Sequence, residues 1–118
     1  MNATELRDRV LQAPDLHREP VVVPEWDTTL YVRCLTARER DAFEAQQIAL
    51  GAKDRTNENI RARLVVLACV DENGTRVFGD ADADALGNKA SSALDRLATV
   101  ALRMNRISQA DIEELQGN

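Results

Sequence analysis

The stretch VVVPEWDTTLYVRCLTARERDAFE, from Val21 to Glu44, constrains the fold more than any other part of the chain. Val21, Val22 and Val23 form a short β-branched run. In a second run, Leu30, Val32 and Cys34 share one face at period two. Between the runs, Pro24 fixes φ and Asp27 can hydrogen-bond its own backbone, which is turn chemistry. A β-hairpin is expected. Thr36 and Glu39 then stand at capping-box spacing, so each side chain can accept from the other's backbone N–H. Hairpin and helix follow one another with almost no loop, and the sheet is thereby fixed against the helix.

The remaining elements are read on either side of this stretch. Residues 4–12 suit a short helix with Thr4 as N-cap, Leu6, Val10 and Leu11 as an apolar edge, and Pro14 as its stop. Nine residues make a marginal helix unless it docks. Residues 1–17 are therefore expected as either a short helix or a flexible N-terminal arm on a single domain spanning 1–118. The helix capped by Thr36 should run to about Leu50, with Gly51 left-handed at its end. Its apolar set is thin: Ala42, Phe43, Ala45, Ile48, Ala49 and Leu50. Thr56 or Asn57 would cap the next helix, where Ile60, Leu64, Leu67 and Ala68 form a core stripe.

Residues 65–78 carry two readings. The stripe favours helix to about Val70, followed by a turn and a short extended piece at 76–78. The alternative is a second hairpin around Asn73-Gly74. Asp80 suits the N-cap of a single turn that Gly87 ends. A third long helix is expected over 89–105, with Leu94, Leu97, Ala98, Ala101 and Leu102 on one stripe. Ser108 to Asp111 then cap a last short helix, with Ile107 and Ile112 as a hydrophobic staple. The fold class is α+β, mainly helical: one N-terminal β-hairpin on three main helices, with short terminal helices.

Composition excludes several functions. The net charge is −5, and a nucleic-acid binder normally shows a basic face. Arg33, Arg38 and Arg40, and Arg61 and Arg63, are interleaved with acidic residues, which marks a solvated face. Cys34 and Cys69 lie far apart in apolar runs and suit reduced, buried thiols. The first residues are charged and helix-like, unlike a signal peptide. The apolar run at 64–70 is far shorter than the roughly 20 residues of a membrane span.

No motif carries chemistry. The one histidine, His17, sits in a linker, and it and the dispersed cysteines cannot make a zinc site without remote carboxylates. Asp80, Asp82 and Asp84 have the spacing of the first calcium ligands of an EF-hand, but Ala85 stands where its glycine is required and Ser91 where its glutamate is. No phosphate-binding glycine loop is present. Neither an enzyme, a cofactor nor a metal is expected.

The string Val23-Pro24-Glu25-Trp26, Tyr31-Val32-Arg33, Leu35-Thr36 and Glu39-Arg40-Asp41-Ala42-Phe43-Glu44 resembles the tail assembly chaperones of long-tailed bacteriophages and prophages. The downstream order of elements resembles them too, over roughly residues 18–116. Asp27 stands where that family often has Gly. The resemblance implies a non-structural assembly factor that binds the tape measure protein, keeps it soluble and helps recruit tail tube subunits. It implies host cytoplasm, absence from the mature virion, no membrane or nucleic-acid partner, and room for a homo-oligomer. The family's short product is often accompanied by a longer frameshifted one, and a capped helix before Gly117 and Asn118 suits a complete short form. The alternative class is a structural adaptor, a tail completion or head–tail connector protein. Trp26 is either a core cover at the hairpin end or an exposed anchor, Trp being enriched among interface hot spots. Phe43 and Phe78 suit the core. The candidate partner-binding residues are Trp26, Tyr31, Arg33, Arg40 and Phe43, all within the matching string.

Overall fold

The computed structural model describes residues 1–52 and 59–108, together with Ala110, Asp111 and Glu114. Strands β1 (Arg18–Val23) and β2 (Thr28–Arg33) form the expected antiparallel hairpin, in register from Arg18 opposite Arg33 to Val23 opposite Thr28. A 3-10 turn at Pro24–Trp26 joins them, and Asp27 closes it in the left-handed region at φ 49°. Asp tolerates that conformation better than most residues, so it serves where glycine would be the default. β1 lies at the sheet edge, where Pro20 and its missing N–H are tolerated.

The architecture is the mainly helical α+β arrangement expected, with one addition. Helix α3 (Ile60–Ala68) stops two residues early, and Cys69–Val70 becomes strand β3 on the open edge of β2. Cys69 lies opposite Val32 and Val70 opposite Tyr31. The chain then turns at Asp71, whose carboxylate accepts from the N–H groups of Asn73 (2.9 Å) and Thr75 (3.0 Å). Gly74 takes φ 86°, and a bridge pairs Val70 with Arg76. Each of the two readings of 65–78 is therefore right for a part. The helix ends at Ala68 because the free edge of β2 satisfies the Cys69–Val70 backbone, a partner invisible to local periodicity.

Other boundaries moved for local reasons. α1 covers Ala3–Gln12 and its cap is Asn2, not Thr4: the Glu5 N–H donates to Asn2 Oδ1 (2.9 Å) while Asn2 Nδ2 donates to Glu5 Oε1 (3.1 Å). α2 (Ala37–Ala52) runs through Gly51. Glycine in a helix interior costs only about 0.5–1 kcal/mol against alanine, so its presence alone does not end the helix. The expected cap at Thr56 or Asn57 lies outside the described residues. Asn59, at φ 59°, precedes α3. Asp80–Asp82 is a 3-10 turn that leads into α4 (Ala83–Gly87), and Gly79, not Asp80, is its cap; the Gly79 N–H donates to the Asp82 carboxylate (2.7 Å). α5 (Ser91–Met104) is slightly shorter than expected. Ser108 and Asp111 make the reciprocal capping contacts, at 2.9 and 3.0 Å, and Ile107 is buried. Ile112 lies outside the described residues.

The core forms where α3 and α5 pack together under the sheet. Val21, Val23, Leu30 and Val32 meet Leu64, Val65, Leu94, Leu97, Ala98 and Ala101. α3 is buried on more than its expected stripe, since Ala62, Val65 and Val66 are also enclosed. α5 instead keeps a polar side, from which Arg96 and Arg103 pair with Glu25 (2.6 Å) and Glu19 (2.5 Å) on the hairpin. These pairs fasten the helix across both ends of β1.

Candidate partner-binding surface

The joint between β2 and α2 is where most of the candidate residues lie. Thr36 and Glu39 form the capping box: the Glu39 N–H donates to Thr36 Oγ1 (3.1 Å) and the Thr36 N–H to Glu39 Oε1 (2.9 Å). Arg33 completes it. Its Nη1 and Nη2 donate to Glu39 Oε1 (2.7 Å) and Oε2 (2.6 Å), and Nη2 also donates to the Leu67 carbonyl (2.9 Å) on α3. The Arg33 guanidinium holds the Glu39 carboxyl down to about 2, with the Thr36 N–H adding to the effect against partial burial. Asn105 closes the joint from the end of α5: its Oδ1 accepts from the Leu35 N–H (2.7 Å), and its carbonyl accepts from Arg40 Nη1 (2.5 Å).

This geometry corrects two of the candidates. Arg33 is 9% exposed and its guanidinium is spent on Glu39 and backbone carbonyls, so it is an internal tie. Phe43 is 1% exposed and belongs to the core. Neither presents much side-chain surface in this structure: Arg33, at the end of β2, is turned onto Glu39 and the Leu67 carbonyl, and Phe43, on α2, is turned into the core. Arg40 is half-buried, paired with Glu44 (3.0 Å) and Asn105. Tyr31 is half-buried on the sheet face opposite the main core, across from Pro20 and Val70. Trp26 packs partly against the core at the far end of β2, about 20 Å of strand away. The five residues therefore do not converge on one surface.

Most of the two basic clusters is likewise occupied, Arg38 alone of them standing exposed with no side-chain partner among the described residues. Besides Arg33 and Arg40, Arg61 pairs with Asp95, and Arg63 Nε donates to the buried Gln47 Oε1 (3.1 Å). Burial pushes the Cys69 thiol up to about 12. Among the described residues no His, Cys, Asp or Glu group of three or more is gathered as a metal would require, and no helix is long and apolar enough to cross a membrane.

A family model described as phage tail assembly chaperone matches residues 5–118. The chain belongs to that family. The fold is similar to the solved structure of the bacteriophage HK97 tail assembly chaperone, with a TM-score of 0.59, at 17% sequence identity, over 90% of this chain and 99% of that one. No curated protein sequence matches significantly.

In this tail assembly chaperone most of the apolar residues of α2 are exposed. Of the set seen in the sequence, Ala42, Ala45, Ile48 and Ala49 are exposed, Leu50 is half-buried, and Phe43 alone is buried. Ile48 is 52% exposed. Beside this side of α2, a groove of about 990 Å³ lies between α2, α3 and the segment from Asp80 to Asn88, with Leu50 and Leu67 and the polar Gln46, Asn59, Asp80 and Asp84 among its lining. A second hollow of about 430 Å³ lies between Ile48 on α2 and Ile107. Sequence reasoning noted that the α2 apolar set was thin but not which way it faced. The facing became visible only in the structure, where Gln47 is buried beside Phe43 and its Oε1 accepts from Arg63 Nε on α3 while its buried Nε2 has no hydrogen-bond partner among the described residues.

Proposed function

We propose that this chaperone binds the tape measure protein in the host cytoplasm, keeps its helices soluble, and releases it as tail tube subunits assemble. The supporting observation is the exposed side of α2, where Ala42, Ala45, Ile48 and Ala49 stand interleaved with Arg38 and Asp41, beside the groove next to α3. A long helical client presents apolar stripes at i, i+3, i+4 and i+7. A face of alanines around one isoleucine lets such a helix approach closely while offering little area to hold it. That suits a transient contact of micromolar affinity, about −8 kcal/mol. The chain acts through binding, is not an enzyme, and is absent from the finished particle.

Co-expression with the tape measure protein of the same genome, followed by fractionation and pull-down, tests this. The client should shift to the soluble fraction and be retained with the chain. A client equally insoluble with and without the chain, and a chain recovered in purified particles, would replace the chaperone reading with that of a structural adaptor.

A further inference from the structure

The chain reverses sharply after α5. Arg106 takes φ 53°, its N–H donates to the Arg103 carbonyl (3.2 Å), and the Ile107 N–H donates to the Leu102 carbonyl (2.9 Å). These are the two bonds of a Schellman ending, which fixes the direction in which the chain leaves the helix. Ile107 is buried there, and the capping box of Ser108 and Asp111 opens a new helical turn straight after it. Ala110, Asp111 and Glu114 are helical.

This segment faces α2 across the hollow of about 430 Å³. Asp111 and Glu114, three residues apart on one side of a helix, line it together with Ile107, and Arg40, Glu44 and Ile48 line it from α2. The Ser108 N–H and hydroxyl, with Arg40 at longer range, hold the Asp111 carboxyl below its usual value. Ile48 itself is left 52% exposed at this hollow. Helical spacing names the side chain that comes next on the segment's wall. Leu115 follows Asp111 by four residues and so shares the side of Asp111 and Glu114. Ile112, one residue after Asp111, falls about 100° away, where the staple with Ile107 expects it.

We propose that the segment from Ser108 onward is a strap that seats Leu115 in the Ile48–Ile107 hollow, covers Ile48, and is displaced when a client helix takes that side of α2. The contact lies within one copy of the chain. Its inhibitory role rests on the reading of α2 as the client side. A cover of this kind weakens client binding in proportion to the time it is closed. An open population of about one in ten lowers apparent affinity about tenfold.

Two measurements on the full chain test this, and the first needs no client. In Ile48→Cys, thiol labelling at position 48, located by peptide mass, should be slow with Leu115 in place. Adding Leu115→Asp should speed it about tenfold, the inverse of the same open population. Melting curves show whether each variant folds, and methyl contacts between Ile48 and Leu115 in the NMR spectrum of the unaltered chain decide the same point without substitution. Equal labelling rates in two well-folded variants, or no Ile48–Leu115 methyl contact, overturn the strap. The second measurement titrates the tape measure protein of the same genome in pull-downs. Leu115→Asp should bind it about tenfold more tightly than wild type does. Faster labelling with unchanged client affinity overturns the inhibition. A tape measure protein that binds neither protein overturns the client reading and the inhibition with it, while the labelling rates, read without client, still report whether Leu115 covers Ile48.

Discussion

Arg33 and Glu39 form a bidentate pair, with Nη1–Oε1 and Nη2–Oε2 distances of 2.7 and 2.6 Å, across the joint where the sheet ends and α2 begins. The pair does more than link two charges. Glu39 is also the N3 residue of the capping box, and Arg33 reaches on to the Leu67 carbonyl. One carboxylate therefore sets the start of α2, and one guanidinium sets its angle against β2 and α3. Planar bidentate pairing of this kind carries geometric specificity that a single charge contact lacks.

Thr36→Ala removes the oxygen that accepts from the Glu39 N–H. Loss of an N-cap should lower stability by about 1 kcal/mol, read as a reduced urea midpoint at unchanged slope. An unaltered midpoint would mean that the joint holds α2 without its cap.

The Glu39 carboxyl is lowered from 4.5 to about 2, chiefly by Arg33. A depressed carboxylate stabilises the fold fully above its unfolded value, and that contribution is lost as pH falls through the folded one. Wild type should thus lose stability between about pH 4.5 and 2. Glu25, likewise lowered to about 2 by Arg96 and Ser92, contributes in the same window. Glu39→Gln keeps the capping geometry and should show a shallower fall over that window. Parallel midpoint-versus-pH curves for the two proteins would refute the assignment.

Phe43→Ala should act on folding before it acts on any partner. The ring is 1% exposed and lies in the core, and removing a buried phenylalanine costs about 3–5 kcal/mol. Thermal melting checks this; a variant with wild-type stability and impaired client binding would return Phe43 to the partner surface.

Ile48→Asp should behave in the opposite way. The side chain is half-exposed on the outward face of α2, and surface changes of this sort usually fall within about ±0.5 kcal/mol. Melting should be nearly unchanged, while co-expressed tape measure protein should return to the insoluble fraction. Undiminished solubilisation would move the client site off this face.

What the sequence determined by itself is local. The hairpin, the capping box of Thr36 and Glu39, the turn at Asn73-Gly74 and the amphipathic stripe of α5 all rest on contacts between residues a few positions apart, and each is where its spacing placed it. Membership of the string Val23 to Glu44 in a recognisable family was legible for the same reason, since that string encodes one joint. Tertiary structure decided the rest. Cys69–Val70 left the helix because β2 offered an unpaired edge nearly forty residues upstream. Arg33 became an internal tie because Glu39 and Leu67 met it there, not because arginine favours burial. α2 left its alanines outward because Phe43 went into the core, with Gln47 beside it accepting from Arg63 on another helix. α1 formed with no buried residue, capped locally by Asn2 and Glu5. In the first three cases the deciding partner is distant in sequence, and periodicity reports only which residues share a face, not what that face will meet.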